Sequence, residues 1–285
     1  MGTVLLVDIS YLSYRSYHST GRLSYEGEPT GVMFGVLRDV DAMIEMFGAT
    51  QCVMAFDSGG PGLRGQILPT YKGNRDAGKT EEEIEAKEQL YIQITKLRTK
   101  VFPALGFRNI FKCRGYEADD IIAYCADRIR GDDEAVIITS DEDLFQCLRN
   151  NVRWYSPGSK RLVTSASFAE EWGIDPCQWP DVKAFAGCST DNVPGIDGIG
   201  EKTAAKWFRG QLKPTSKAYQ LISANIQVHL QNIKLVRLPF PGIEVPALVP
   251  DELTNERRIR VHQELGIRAN RRPRAAQSGP KGFDL

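Results

Sequence analysis

Short apolar runs closed by aspartate set the pattern of the first half of the chain. Residues 3–7 (TVLLV) end at Asp8, residues 51–56 (QCVMAF) end at Asp57, and residues 135–139 (AVIIT) are followed by Asp141 and Asp143. Runs this short, rich in branched residues and without polar alternation, predict strands of a parallel sheet buried on both faces. Residues 107–111 and 152–155 predict two further strands. Between the first two runs, Met33, Val36, Leu37, Val40, Met43, Ile44 and Phe47 recur at three-and-four spacing, which predicts a crossover helix over 32–47. Ala118, Ile121, Ile122, Cys125 and Ile129 predict a second helix, with Glu117, Asp119 and Asp120 in its first turn, where the helix dipole favours negative charge. Thr80 and Glu83 have the spacing of a capping box. They predict a third helix running to about Phe102 with Ile84, Tyr91, Ile94, Leu97 and Val101 on one face. Strands alternating with helices predict an α/β fold, a mostly parallel sheet flanked by helices, whose ligand edge lies at the carboxyl ends of the strands.

That edge is where the acids fall. Taken singly, first-turn acids cap a helix, and Ser140 to Asp143 reads as a solvated turn. Three strands that each deliver a carboxylate past their carboxyl ends argue for more. Acids sharing one site raise one another's pKa unless a cation holds them ionised, and oxygen donors without His or Cys among them suit Mg²⁺ or Mn²⁺ rather than Zn²⁺. Residues 58–80 contain six glycines, two prolines and the bases Arg64, Lys72, Arg75 and Lys79. A loop of that length inside a compact domain is functional or disordered, and its position directly after Asp57 predicts a mobile basic segment over the acidic edge.

From Val182 the pattern becomes helical. Residues 193–200 (VPGIDGIG) form a glycine hairpin opening a helix near Glu201. Backbone N–H groups around Gly198 and Gly200 can bind a phosphate without reading a base, and Lys202, Lys206 and Arg209 follow at helical spacing. Helices are expected over 225–235 and 251–265. The tail that follows carries Arg268, Arg271, Arg272 and Arg274, so it is expected to be disordered and attracted to nucleic acid, and its end, residues 282–285, suits docking to a partner such as a sliding clamp.

Composition narrows the classes further. The chain has 285 residues, 42% of them hydrophobic, a mean hydropathy of −0.31 and no apolar run long enough for a membrane span. The run at residues 4–7 is too short for a targeting signal, and the six scattered cysteines lack a CxxC pair, which points to reduced thiols in a cytoplasmic compartment without a zinc knuckle. His18, His229 and His262 stand far apart and read as structural. Lys plus Arg equals Asp plus Glu at 36 each, so net charge selects no partner.

Together, Asp8, Asp57, GYEADD at 115–120, SDED at 140–143, STDNVPGIDGIGEKTA at 189–204 and LPTYKGNRD at 68–76 resemble the 5′ nuclease family. That family includes flap endonucleases, the 5′ nuclease domain of bacterial DNA polymerase I and phage 5′–3′ exonucleases. The resemblance runs over about residues 3–210, and YKGNRD is most like the phage enzymes. It implies a PIN-like (resolvase-like) domain over 1–180 with a helical arch at about 58–102, a helix-three-turn-helix and C-terminal helical region over 181–265, and a basic tail over 266–285. It implies a first divalent ion at Asp8, Asp57, Glu117, Asp119 and Asp120, and a second at Asp141, Asp143 and Asp191. By motif position Lys72 matches the arch lysine at the scissile phosphate. Arg15, Arg64, Tyr71 and Arg75 become phosphate or stacking contacts, and the carbonyls of Val193, Ile196 and Ile199 hold K⁺ against duplex DNA. Lys72, Asp119, Asp120 and Asp141 are the expected catalytic set.

The expected activity is hydrolysis of DNA near single-strand to duplex junctions, 5′–3′ exonuclease and flap endonuclease in type, by a monomer acting on branched or 5′-flap DNA, with RNA–DNA hybrids also within reach. One position departs from the family pattern: Cys188 stands where the family has a second-metal aspartate. Its loss weakens the second ion, and the alternative is a branched-DNA-binding protein with little catalysis. A phosphatase using Asp8 as nucleophile wants an aspartate where Ser10 stands, and a PIN-type ribonuclease leaves the hairpin unexplained.

Overall fold

The computed structural model describes residues 2–73 and 80–267. Arg75 and the basic tail from Arg268 to the clamp-like end lie outside the described residues. In chain order, Thr3–Asp8 (β1) leads into Ile9–Thr20 (α1), a small hairpin of Ser24–Tyr25 (β2) and Glu28–Pro29 (β3), then Gly31–Phe47 (α2) and Gln51–Ala55 (β4). A short helix, Arg64–Ile67 (α3), precedes Glu81–Lys96 (α4), a π-helical turn at Leu97–Val101, Phe102–Leu105 (α5) and Asn109–Phe111 (β5). Ala118–Ala126 (α6) and Glu134–Ile138 (β6) follow, then a 3-10 turn at Glu142–Cys147, Val152–Ser156 (β7), Arg161–Val163 (β8), Ser165–Trp172 (α7) and Trp179–Ala186 (α8). Glu201–Phe208 (α9), Lys217–Ala224 (α10), Ile226–Val236 (α11) and Asn255–Glu264 (α12) complete the described chain.

The large sheet has the order β5-β4-β1-β6-β7-β8 and is parallel except for β8, which turns back against β7. Its first strand is central. The chain builds outward on one side through β4 and β5, then crosses to the other side through β6 and β7, so the order reverses at β1. Ligands of open α/β sheets bind outside the strand ends at such a reversal. Asp8 ends β1 there, Asp57 follows β4 and Asp141 follows β6.

Alternation along the strands feeds two cores. Val4, Leu6, Val53, Ala55 and Ile137 pack with Ile121, Ile122 and Phe145 on one face, and Leu5, Val7, Met54, Val136 and Ile138 pack with Leu12, Val36 and Phe102 on the other. These strands are apolar on both faces, as expected of parallel strands under helices.

Several expectations are corrected. The third helix buries only the second half of the predicted stripe. Leu97 and Val101 are buried and Ile94 is half-buried, as predicted, whereas Ile84 and Tyr91 are exposed and Leu90 and Gln93 are buried instead, because only the C-terminal part of α4 lies against the domain. Gln93 is buried to a purpose: its side-chain oxygen accepts the N–H groups of Val32 and Met33 at 3.0 and 3.3 Å, capping α2, whose own N-cap Thr30 makes no side-chain bond. The helix expected over 251–265 begins at Asn255, and the segment before it is an extended strap along the sheet edge. There Asp251 accepts the N–H groups of Cys52 and Arg108 at 2.8 and 2.9 Å, and the Asn109 side chain exchanges bonds with Val249. No helix among the described residues is long and apolar enough to cross a membrane.

Candidate metal centre and nucleic-acid interface

The acids at the sheet edge are held by donors that the sequence pattern does not single out. Asp8 is the N-cap of α1. One of its oxygens accepts the Tyr11 N–H at 2.9 Å and the other accepts the hydroxyl of the fully buried Thr139 at 2.9 Å. Asp57 accepts the N–H of Ala118 at 2.8 Å, which ties the end of β4 to the start of α6. Asp141 caps the 3-10 turn by accepting the Asp143 N–H at 2.8 Å, and its own N–H donates to Thr139 at 3.2 Å. Two indoles pin this turn from below: Trp154 donates to the Asp141 carbonyl at 3.0 Å and Trp179 to that of Glu142 at 2.8 Å. Asp119 lies in the first turn of α6.

Thr139 bonds both Asp8 and Asp141, and Asp57 bonds Ala118 beside Asp119, so the acids converge and repel one another. Burial, then Asp57, pushes the Asp8 carboxyl up to about 7. Desolvation, then Asp143, pushes Asp141 up to about 7, with Asp191 and Asp8 adding to it. Asp119 is held well above the usual carboxylate range by burial, then by Asp141 and Asp8. Asp8, Asp57, Asp119 and Asp141 therefore share one neighbourhood. The cation found among them is Lys72, whose charge lowers both Asp8 and Asp119. Four crowded oxygen-donor side chains, with this ammonium among them, fit a hard divalent ion.

Asp120 is a different matter, and the expectation that it ligates metal is corrected. It is fully buried and takes Arg64 in a two-pronged pair at 2.7 and 2.8 Å. Its remaining capacity goes to the N–H groups of Glu117 and Phe240 at 3.1 and 2.8 Å. Arg64, 3% exposed, also donates to the Leu235 carbonyl at 2.8 Å and packs its guanidinium over Phe240. It is a strut between α3, α6 and the end of α11. Tyr71, also 3% exposed, is likewise withdrawn from base stacking, with its hydroxyl 3.0 Å from both Glu117 and Asp191. Glu117 is the N-cap of α6 rather than a first-turn residue. Burial raises its carboxyl, while its ion pairs with Lys72 and Arg64 oppose that rise. Arg15 is half-buried and paired with Asp39.

Beside the first cluster lies a second. Asp143, Cys188 and Asp191 each offer a donor atom, and these atoms lie within 4.8 Å of one another. Asp143 is raised by burial, against which Lys183 acts. Lys183, on α8, is a site residue that the pattern reading missed: its ammonium lies 2.9 Å from Asp143 and 2.8 Å from Glu201. Burial pushes its ammonium down, and those two carboxylates more than offset that and keep it charged. The signal in the sequence is a lone lysine in an otherwise apolar turn (DVKAF).

Asp191 opens the hairpin between α8 and α9. The chain crosses itself tightly here, since a Cβ at Gly195 would stand 2.1 Å from the Ala186 carbonyl oxygen. Val193, Ile196 and Ile199 bury their side chains. The carbonyls of Val193 and Ile196 each accept one N–H, from Cys188 and Ile199 at 2.9 Å, which leaves a second lone pair on each. Gly198 and Gly200 are exposed with open space where a Cβ would stand, and Lys202 and Lys206 on α9 and Arg209 just past its end are exposed. The hairpin is joined to the basic segment: Lys72 N–H donates to the Asp191 carbonyl at 2.9 Å, and the Asn192 side chain donates to that of Thr70 at 2.8 Å.

Comparison with known proteins agrees with this geometry. The family model for the 5′-3′ exonuclease N-terminal resolvase-like domain matches residues 3–173, and that for the 5′-3′ exonuclease C-terminal SAM fold matches 174–235. The chain is 34% identical to the 5′-3′ exonuclease of Bacillus subtilis over 215 residues, which is 72% of this chain and 69% of that one. It is 32% identical over 242 residues to the thermostable DNA polymerase I of Thermus aquaticus, covering 82% of this chain but 28% of the polymerase, so it spans little more than a quarter of such relatives. Among solved structures, the 5′-exonuclease of bacteriophage T5 with bound zinc aligns at a TM-score of 0.71 and 27% identity, covering 83% of this chain and 90% of that one. The T5 flap endonuclease in a complex with DNA and metal ions aligns at 0.70 and 26%, covering 83% and 89%. With a resolvase-like part bearing the acidic edge and a SAM-fold part bearing the hairpin, in that order along the sequence, the chain belongs to the 5′-3′ exonuclease family.

Proposed function

We propose that the protein is a divalent-metal-dependent 5′ nuclease, 5′–3′ exonuclease and flap endonuclease in type, acting on DNA near single-strand to duplex junctions. The observation that carries this reading is the meeting of Asp8, Asp57, Asp119 and Asp141 at the sheet's reversal point, beside Lys72. Magnesium or manganese bound there supplies a Lewis acid for the phosphate and makes water a nucleophile at neutral pH.

The chain's own groups do the rest. Thr139 and the Tyr11 N–H fix both oxygens of Asp8, so the carboxylate keeps its aim whether or not it is protonated. Lys72, held among Glu117 and Asp191, offers an ammonium to the charge that grows on the phosphate. Lys202, Lys206 and Arg209, with the open backbone at Gly198 and Gly200, hold duplex phosphates without reading sequence, and the Val193 and Ile196 carbonyls would hold K⁺, whose charge would add to that grip. Because Asn192 and Lys72 join hairpin to basic segment, the duplex grip sets which phosphate reaches the acids.

The test is cutting of a 5′-flap duplex with Mg²⁺ and then Mn²⁺. Asp119→Asn should lower the rate by about 100-fold or more, the loss expected when a group that organises a metal is removed. Undiminished cutting by that variant would refute the reading.

A further inference from the structure

Cys188 sits where the family pattern has a carboxylate, and its surroundings are built rather than vacant. Its N–H donates to the Val193 carbonyl and its carbonyl accepts the Val193 N–H, both at 2.9 Å, forming a bridge across the hairpin mouth. The tight crossing of Gly187 and Gly195 fixes that bridge, since a Cβ at Gly187 would stand 2.4 Å from the Gly195 nitrogen. The backbone therefore holds the Cys188 side chain towards Asp143 and Asp191, and Thr190 lies 3.0 Å from its sulfur.

We infer that Asp143, Cys188 and Asp191 form a thiolate-containing metal site that selects a borderline or thiophilic divalent ion, of the Zn²⁺, Co²⁺ or Cd²⁺ class, over Mg²⁺. Ligand atoms about 2.0–2.3 Å from a tetrahedral zinc ion lie about 3.3–3.8 Å from each other, so donors already within 4.8 Å need close by no more than about 1.5 Å. Two carboxylates and one thiolate leave a coordination position for water or a substrate phosphate, as catalytic rather than structural sites do. On binding, the Cys188 sulfur exchanges its proton for the metal, the proton passes to water, and nothing is oxidised. Lys183 keeps Glu201 as its partner when the ion takes Asp143. A soft donor disfavours Mg²⁺ and favours metals with affinity for sulfur, so the substitution changes which ion the site accepts rather than abolishing it.

The inference rests on the reading of this edge as a metal centre, and it is tested by Co²⁺ titration of the full chain, following the thiolate-to-cobalt charge-transfer band in the near ultraviolet. The wild type and Cys177→Ser, which alters an exposed thiol elsewhere, should give a saturable band. Cys188→Ser should abolish the band and weaken Co²⁺ binding about 10-fold or more. Cys188→Asp should also abolish it while strengthening Mg²⁺ binding. Asp119→Asn should keep the band and lose cutting. A wild type without the band, or a band that survives in both Cys188 variants, would overturn the proposal. A band in a wild type that cuts no flap substrate would support this site and count against the nuclease reading alone.

Discussion

Adjacent residues in GYEADD take opposite roles. Asp119 joins the acids at the sheet edge, while Asp120 is consumed by Arg64 and two backbone donors. Asp120→Asn should cost about 3 kcal/mol in urea unfolding, because it removes the two-pronged partner of a buried guanidinium and leaves it only the Glu117 ion pair. Asp119→Asn should leave the metal-free protein no less stable, since it removes a charge that its neighbours repel. Protonation gives a second prediction. Asp8 and Asp141 titrate near 7 in the fold and near the ordinary 3.8 when unfolded, so the fold binds more protons between those values. Their contribution to stability is therefore lost as pH rises from about 4 to about 7. Divalent ions need these groups ionised, so the rise in unfolding midpoint produced by Mn²⁺ should be larger at about pH 8 than at about pH 5. A midpoint shift independent of pH would contradict the assignment. The sequence shows which acids exist. It does not show that Asp120 faces Arg64, because that pairing depends on a loop doubling back across 56 positions.

Elements were legible where their reason was local. The aspartate-ended apolar runs gave β1, β4 and β6 within a residue or so, and the Thr80 capping box is formed as its spacing predicts. The faces of α4 were not legible, since which stripe is buried depends on where the neighbouring helix lies. Gln93 settles it, by capping α2 from the side of α4. Gln93→Leu should then cost about 1–3 kcal/mol, because it leaves two buried N–H groups of α2 without their acceptor. Ile84→Ala, on the exposed part of the same helix, should change stability by less than about 0.5 kcal/mol in the same unfolding series. The antiparallel β8 and the strap before α12 also escaped the pattern reading. One is a short edge strand, and the other is held by side-chain to backbone bonds that leave no periodicity.

For the whole molecule, the fold brings an acidic edge and a basic hairpin together through the segment from Arg64 to Gly73, with Lys72 and Asn192 as the stitches. Duplex binding and chemistry are thereby separable. Lys206→Ala should weaken duplex binding across sequences and reduce the salt dependence of the affinity by about one phosphate contact, leaving the single-turnover rate at saturation nearly unchanged. Equal loss in both would place Lys206 in the chemical step instead. Acids distant in sequence meet at the reversal point of the sheet, where they would hold divalent ions, and anomalous scattering from a Mn²⁺-soaked crystal tests whether they do. A manganese peak is expected between Asp8, Asp119 and Asp141, lost in Asp119→Asn. A soaked crystal with no peak at that edge, or with manganese bound only elsewhere, would contradict it.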